Sequence, residues 1–271
     1  VSVNIDYLRQ EFISAKNNGG TEEVNFKTKN LNLWVDAPTV WIKDEDWMAC
    51  VGKCEDDLTG ESIFLGMDLS EKYDITALVG IIENGNYIEI ITYFWIPEET
   101  VKKKIEKVPY RKWANEGYVT IVQGNTVDDD DVIEKIVELG TKYNILKLGY
   151  DEWNSKKTIV DLGKKGFDVD KKASKVTQYM STLSEPTKTL YNLTSEKRIR
   201  HNGNPVLRWM ISNVMIKRDT NNNIRIDKSK AKDKVDGVSA LINAIAEYLD
   251  QGEPPVDINA VYENRKGVVE L

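Results

Sequence analysis

Asp68, Asp151 and Asp236 are the residues whose type and setting could carry out a reaction. Asp68 closes the apolar run Ile63-Phe64-Leu65-Gly66-Met67, and Asp151 closes the run from Ile145 to Tyr150. Asp236 stands in the first turn of an amphipathic segment, off its apolar stripe. Acids at the carboxyl ends of neighbouring strands face one crevice, where α/β proteins place their sites. Three converging carboxylates repel one another unless cations neutralise them. Oxygen-only ligands select Mg2+ or Mn2+ over zinc. Two such ions, about 4 Å apart, can activate a water and stabilise the departing 3′ oxygen of a phosphodiester.

The elements that must position these acids follow from periodicity and punctuation. Ile63–Leu69, Ala77–Ile82 and Tyr87–Trp95 read as three strands, the last two joined through Asn84-Gly85-Asn86 as a tight hairpin. Val119–Val122 is a short strand. Asp128–Tyr143 is a helix with one apolar stripe from Val132 to Leu139, and Asp128 to Asp131 are solvated acids at its positive end. Ile145–Tyr150, the helix Ser155–Lys165 and the strand-like Phe167-Asp168-Val169 form a crossover, hence a partly parallel sheet. Residues 174–196 read as helical with a break at Pro186, and Pro205–Asn213 as a helix with proline in its first turn. Val214–Arg218 and Asn223–Asp227 flank an exposed hairpin, and Val235–Leu249 is the last long helix. The expected fold is α/β, a mixed sheet flanked by helices with an added hairpin near the site.

Three stretches are expected: residues 1–60 as a linker or adaptor, 61–252 as the main domain, and 253–271 as a polar tail containing Pro254-Pro255. In the adaptor, Asp6–Lys16 reads as a short helix and Trp41–Cys54 as another. Trp34, Trp41 and Trp47 are expected to pack against the larger body rather than stand exposed.

With 271 residues, 41% hydrophobic and 30% charged, the chain can bury a core without disulfides or a structural metal. No apolar run is long enough to span a bilayer, and no signal peptide is evident, so a soluble intracellular protein is expected. Cys50 and Cys54 lack the partners of a zinc site and read as buried free thiols. A net charge of −7 is not the signature of a protein held on DNA by charge alone. It does not exclude a nuclease, whose clustered carboxylates bound cations would offset.

Four blocks, in order, resemble the nuclease domain of the large subunit of tailed-phage terminases. They are Phe64-Leu65-Gly66-Met67-Asp68-Leu69-Ser70 with Asp74-Ile75-Thr76-Ala77; Gly149-Tyr150-Asp151-Glu152-Trp153-Asn154; His201-Asn202-Gly203-Asn204-Pro205-Val206-Leu207-Arg208-Trp209 with Asn213; and Lys234-Val235-Asp236-Gly237-Val238-Ser239-Ala240-Leu241. The Leu31-Asn32-Leu33-Trp34 segment with Trp41 and Trp47 is similar to the stretch preceding that nuclease.

The resemblance implies an RNase H-like fold and a divalent-metal-dependent endonuclease that cuts concatemeric double-stranded viral DNA during packaging. Asp68, Asp151 and Asp236 would be the catalytic acids and ligands of Mg2+ or Mn2+, two ions in all. Asp233, one helical turn before Asp236, is a further candidate ligand through water. The family's second motif commonly reads Asp-Pro-Trp; here Glu152 replaces the proline and adds an acid. Asp74 is expected to be structural or to act on the ligands indirectly. Lys217, Arg218, Arg225, Lys228, Lys230, Lys232 and Lys234, just before the last helix, could hold DNA phosphates. His201 is a candidate DNA contact, though the surrounding turn favours a structural role.

The chain carries no G-x-x-x-x-G-K-[ST] phosphate loop. The implied partners are therefore an N-terminal ATPase motor, a portal protein and a small terminase subunit, at the procapsid portal in the host cytoplasm. No membrane partner is expected, and the isolated domain could be monomeric. The alternatives are another RNase H-like nuclease, of resolvase or transposase type, and a non-catalytic module binding DNA or portal.

Overall fold

The computed structural model describes residues 5–19, 22–23, 26–31, 41–52, 57–70, 72–103 and 107–250. The centre is a seven-stranded mixed sheet. Strands β1 (Ser62–Asp68), β2 (Thr76–Asn84) and β3 (Tyr87–Pro97) form an antiparallel meander. β4 (Thr120–Val122) pairs in parallel with the end of β3. On the other side of β1, β5 (Asn144–Tyr150) runs parallel to it, and β6 (Ala173–Lys175) parallel to β5. A further short strand, β7 (Ile199–His201), pairs in parallel with the start of β3. The order is β4-β3-β2-β1-β5-β6.

Helices cover both faces. On one, α5 (Asp129–Lys142) packs Val132, Ile133, Ile136 and Leu139 against Ile63, Leu65, Met67 and Leu148. The Asp128 side chain caps α5 by accepting from the Asp130 N–H, and the acids that follow lie in its first turn, as their placement predicts. The helix after β5 is α6 (Glu152–Lys164). On the opposite face lie α8 (Met180–Ser195), α9 (Pro205–Asn213) and α10 (Asp236–Leu249), with Phe64, Val79 and Ile81 beneath them. The remaining α-helices are α1 (Ile5–Asn18) and the short α2 (Asp44–Met48), α3 (Glu98–Lys103), α4 (Tyr110–Asn115) and α7 (Val169–Lys172).

Several expectations are corrected. Phe167-Asp168-Val169 is not a strand: Asp168 caps α7, and the strand follows at Ala173–Lys175. Pro186 does not break α8. An interior proline costs about 3 kcal/mol, which burial of Leu183, Leu190 and Leu193 at about 1.5–3 kcal/mol each outweighs. The helix expected over Trp41–Cys54 is only Asp44–Met48 among the described residues. The hairpin β8 (Ile216–Arg218) and β9 (Ile224–Ile226) is not free-standing: Ile224 is buried, and its N–H donates to Ser184 Oγ of α8 at 3.1 Å.

Trp41 and Trp47 are buried in the core shared with the sheet, as expected; Trp34, Cys54 and the tail after residue 250 lie outside the described residues. Cys50 is a buried free thiol. No helix among the described residues is long and apolar enough to cross a membrane.

Candidate active site

The site begins with two Gly-x-Asp repeats. Gly66 and Gly149 are register partners in the parallel pair β1–β5, followed by Met67 and Tyr150. Side chains alternate across a strand, so Asp68 falls on the face of Gly66, and Asp151, just past β5, on the face of Gly149. The glycines let α10 approach closely. A β-carbon on Gly66 would lie 2.1 Å from the Ala240 carbonyl oxygen, and one on Gly149 2.8 Å from that of Asn243. No side chain fits there, so α10 crosses the sheet with its first residue, Asp236, beside the ends of β1 and β5.

Two asparagines hold this arrangement. Asn243 Nδ2 donates to the Met67 carbonyl at 3.0 Å, and Asn154 Nδ2 to the Leu69 carbonyl at 3.3 Å. The first ties α10 to the residue before Asp68, and the second ties the first turn of α6 to the residue after it. Asn213 Nδ2 donates to the Lys234 carbonyl at 3.0 Å and steadies the entry to α10. Asn154 and Asn213 stand in the motif blocks, but their partners could not be read from the sequence. Nothing in the local pattern marks Asn243 among the helix's core residues.

Asp68 is buried and its Oδ2 accepts from Lys228 Nζ at 2.6 Å. The charges of Asp68, Asp236 and Asp151 all favour the Lys228 ammonium and together hold its pKa above the usual lysine value, against the desolvation that opposes them. Of the three, Asp68 is the one hydrogen-bonded to that ammonium. Burial, followed by repulsion from Asp68 and Asp74, pushes the Asp236 carboxyl up to about 8. Its Oδ2 is buried without a hydrogen-bond partner. Asp151 is half-buried, and its Oδ1 accepts the Trp153 N–H at 3.2 Å as the cap of α6.

The three acids offer a cation carboxylate oxygens, one of them buried and unpaired, in a setting that penalises uncompensated negative charge. That set fits a hard divalent cation. Among the described residues, no group of three or more acidic, histidine or cysteine side chains is placed to hold a metal ion in this arrangement.

The remaining candidates divide. Lys217, Arg225 and Lys228 line a cavity of about 340 Å³ together with Asp151. Arg225 Nη1 donates to the Gln178 carbonyl at 2.5 Å. Arg218 points to the other side of the hairpin, pairing with Glu22 at 2.8 Å and Ser14 Oγ at 3.2 Å. Lys234 pairs with Asp74 at 2.6 Å, and Asp233 Oδ1 accepts the Lys234 N–H. Lys230 and Lys232 are exposed in the loop. Glu152 is exposed and pairs with Lys175 at 2.5 Å.

His201 is only 4% exposed. Its ring stacks on Trp47 with centroids 4.3 Å apart. Nδ1 accepts the Gly203 N–H at 3.1 Å, so Nε2 carries the proton and donates to the Trp47 carbonyl at 2.9 Å. Both nitrogens are engaged, and no ring edge is left to meet a phosphate. His201 ends β7, and Asn202, Gly203 and Asn204 lead from it into α9 at Pro205, as expected.

A mixed sheet of this order, with carboxylates gathered at one end beneath a crossing helix, is the RNase H-like nuclease fold. Residues 1–252 match the family model described as terminase large subunit, endonuclease domain, and the chain belongs to that family.

Protein YmfN of Escherichia coli K12 is 27% identical over 266 residues, covering 92% of this chain and 57% of that protein. The terminase large subunit of Enterobacteria phage HK97 is 27% identical over 241 residues, covering 85% and 46%. The crystal structure of the HK97 large terminase superposes with a TM-score of 0.70 at 25% identity, over 91% of this chain and 51% of that one. The large terminase of the thermophilic bacteriophage D6E shares the fold, with a TM-score of 0.52 at 11% identity over 89% and 52%. The chain thus spans about half the length of the curated relatives it matches. The family match sets it with terminases rather than with resolvases or transposases.

Proposed function

We propose that this chain cuts concatemeric double-stranded DNA during viral genome packaging, using Mg2+ or Mn2+ held by Asp68, Asp151 and Asp236. The observation that carries the reading is the placement of Asp68 and Asp151 at the ends of the paired strands β1 and β5, where α10 packs on Gly66 and Gly149, with an unpaired buried oxygen on Asp236. Asp68 and Asp151 stand at the carboxyl ends of the interior strands β1 and β5 and Asp236 on α10, so a cation among them draws on two rigid layers. When bound, two such ions supply an activated water and stabilise the leaving 3′ oxygen. Lys217, Arg225 and Lys228, around the adjoining cavity, hold the phosphates and set the strand's position. Asp233 acts through the backbone at the entry to α10, and His201 is structural. These contacts include no base-reading element, so sequence preference is weak.

The division at residue 60 fits this role as a spacer that docks Trp41 and Trp47 on the nuclease body, with 61–252 as the cutting unit and 253–271 as a tail. In the complete packaging machine the partners are an ATPase motor, the portal and a small terminase subunit, at the procapsid in the host cytoplasm. The test is cleavage of plasmid DNA by the purified domain with Mn2+ or Mg2+ and no ATP. Asp68→Ala, Asp151→Ala and Asp236→Ala each abolish it. Undiminished cutting by folded Asp68→Ala removes that residue from the site.

A further inference from the structure

The four other tryptophans whose burial is tightest, Trp41, Trp47, Trp95 and Trp113, are in the core, whereas Trp153 is 91% exposed. It lies in the first turn of α6, two residues beyond Asp151. Across a groove of about 530 Å³ stands Tyr179, 71% exposed, at the start of α8. Lys156 and Lys175 line the same groove, as does Glu152, whose pairing with Lys175 a phosphate would replace. Two large aromatic faces in water, close to a site for phosphodiester chemistry, are not explained by packing.

The groove adjoins the cavity that Lys217, Arg225 and Lys228 line with Asp151. Asp151 and Gln178 line both. Basic side chains therefore flank Asp151 on two sides: Lys217, Arg225 and Lys228 on one, Lys156 and Lys175 on the other. A strand running through both would keep its phosphates near cations throughout.

We propose that Trp153 and Tyr179 form a stacking platform for unpaired nucleotides of the DNA strand next to the scissile phosphate, with Lys156 and Lys175 on the flanking phosphates. This rests on the nuclease reading and adds that the strand is opened locally at the cut. The chemistry favours single-stranded over duplex DNA, because bases within a duplex already stack on one another and offer no free π-face. Aromatic stacking is sequence-tolerant for the same reason, since every base has such a face. The lysines and the presence of Asp151 in the groove favour nucleic acid over a protein partner, which would find an apolar surface rimmed by desolvation-costly ammonium groups.

The experiment measures binding of a twelve-nucleotide single strand carrying 2-aminopurine, and of the matching duplex, in EDTA so that no cutting occurs. Trp153→Ala and Tyr179→Ala are each expected to weaken single-strand binding about tenfold and to abolish the change in 2-aminopurine fluorescence. Trp153→Phe keeps most of the affinity, and duplex binding changes less than twofold. Both side chains are exposed, so unchanged melting temperatures verify the fold.

Single-strand affinity within twofold of wild type in Trp153→Ala overturns the proposal, as does an equal loss for single strand and duplex, or no single-strand binding at all. Metal-dependent plasmid cutting by the wild-type domain is scored separately. If cutting persists while the platform variants bind normally, the platform falls and the nuclease reading stands. If Asp68→Ala cuts as wild type does, the nuclease reading falls first.

Discussion

Gly66 and Ala240 approach so closely that a β-carbon at residue 66 would stand 2.1 Å from the Ala240 carbonyl oxygen, and 2.3 Å from the Ala244 nitrogen. This contact between β1 and α10 sets how far Asp236 stands from Asp68. It is backbone against backbone, so no rotamer change relieves an added methyl.

Gly66→Ala should therefore destabilise the domain by about 3 kcal/mol or more, since the helix must move off the sheet. Gly140→Ala is the control. It lies inside α5, where a β-carbon meets only the Ile145 Cδ1 at 3.6 Å, and should stabilise by up to about 1 kcal/mol. Urea melts of the two variants measure the difference. Equal stability would mean that α10 is not held by this contact.

Asp236→Asn should raise the stability of the metal-free domain while abolishing cleavage. The amide removes a buried, repelled carboxylate whose Oδ2 has no partner, at a gain on the order of 1 kcal/mol. Thermal melts with EDTA and with Mn2+ separate the effects: the variant melts higher than wild type without the ion and gains nothing from adding it. A variant that melts lower in EDTA would contradict the crowding of negative charge described here.

Lys228→Met should tighten Mn2+ binding measured calorimetrically. The ammonium contacts Asp68 at 2.6 Å and its side chain is 50% exposed, so the pair is partly solvent-screened and worth at most about 1 kcal/mol. The gain is thus about fivefold or less. DNA affinity should fall in the same variant, through the lost phosphate contact. Weaker Mn2+ binding would show that Lys228 supports the ligands rather than competing for them.

His201 provides a pH test of stability. Burial lowers its pKa below the usual 6.5, so the folded state keeps the ring neutral where the unfolded chain takes up a proton. Unfolded molecules then bind more protons, and stability falls as pH drops from about 6.5 toward the lower folded value. The contribution is complete above the unfolded pKa. His201→Gln, lacking this linkage, should show a flatter melting temperature between pH 7 and pH 5, from a lower starting point because the stack on Trp47 is lost. An unchanged slope would assign the acid sensitivity to other groups.

The strands carrying Asp68 and Asp151, the helix carrying Asp236, the Asn84–Asn86 turn and the acidic cap of α5 were all legible in the chain itself. Each rests on forces acting within about ten residues: alternation of apolar side chains, glycine turns and charges at a helix end. The short pieces were not legible. β6 and β7 are three residues long and exist only because β5 and β3 offer open edges, which no local pattern announces. Pro186 continues through α8 because the burial that outweighs its cost comes from the other side of the core.

The sequence by itself therefore determined which residues could do the chemistry and the elements that bear them. Only the tertiary structure decided how those residues divide. Lys217 and Arg225, register partners in the hairpin, line a cavity with Asp151 while Arg218 turns to Glu22, because alternate residues of a strand point to opposite sides. His201 goes to the core for a related reason: its strand pairs with β3 at the edge where Trp47 covers it. Burial, charge repulsion and the room for a helix beside a glycine depend on groups distant along the chain, and folding brings them together.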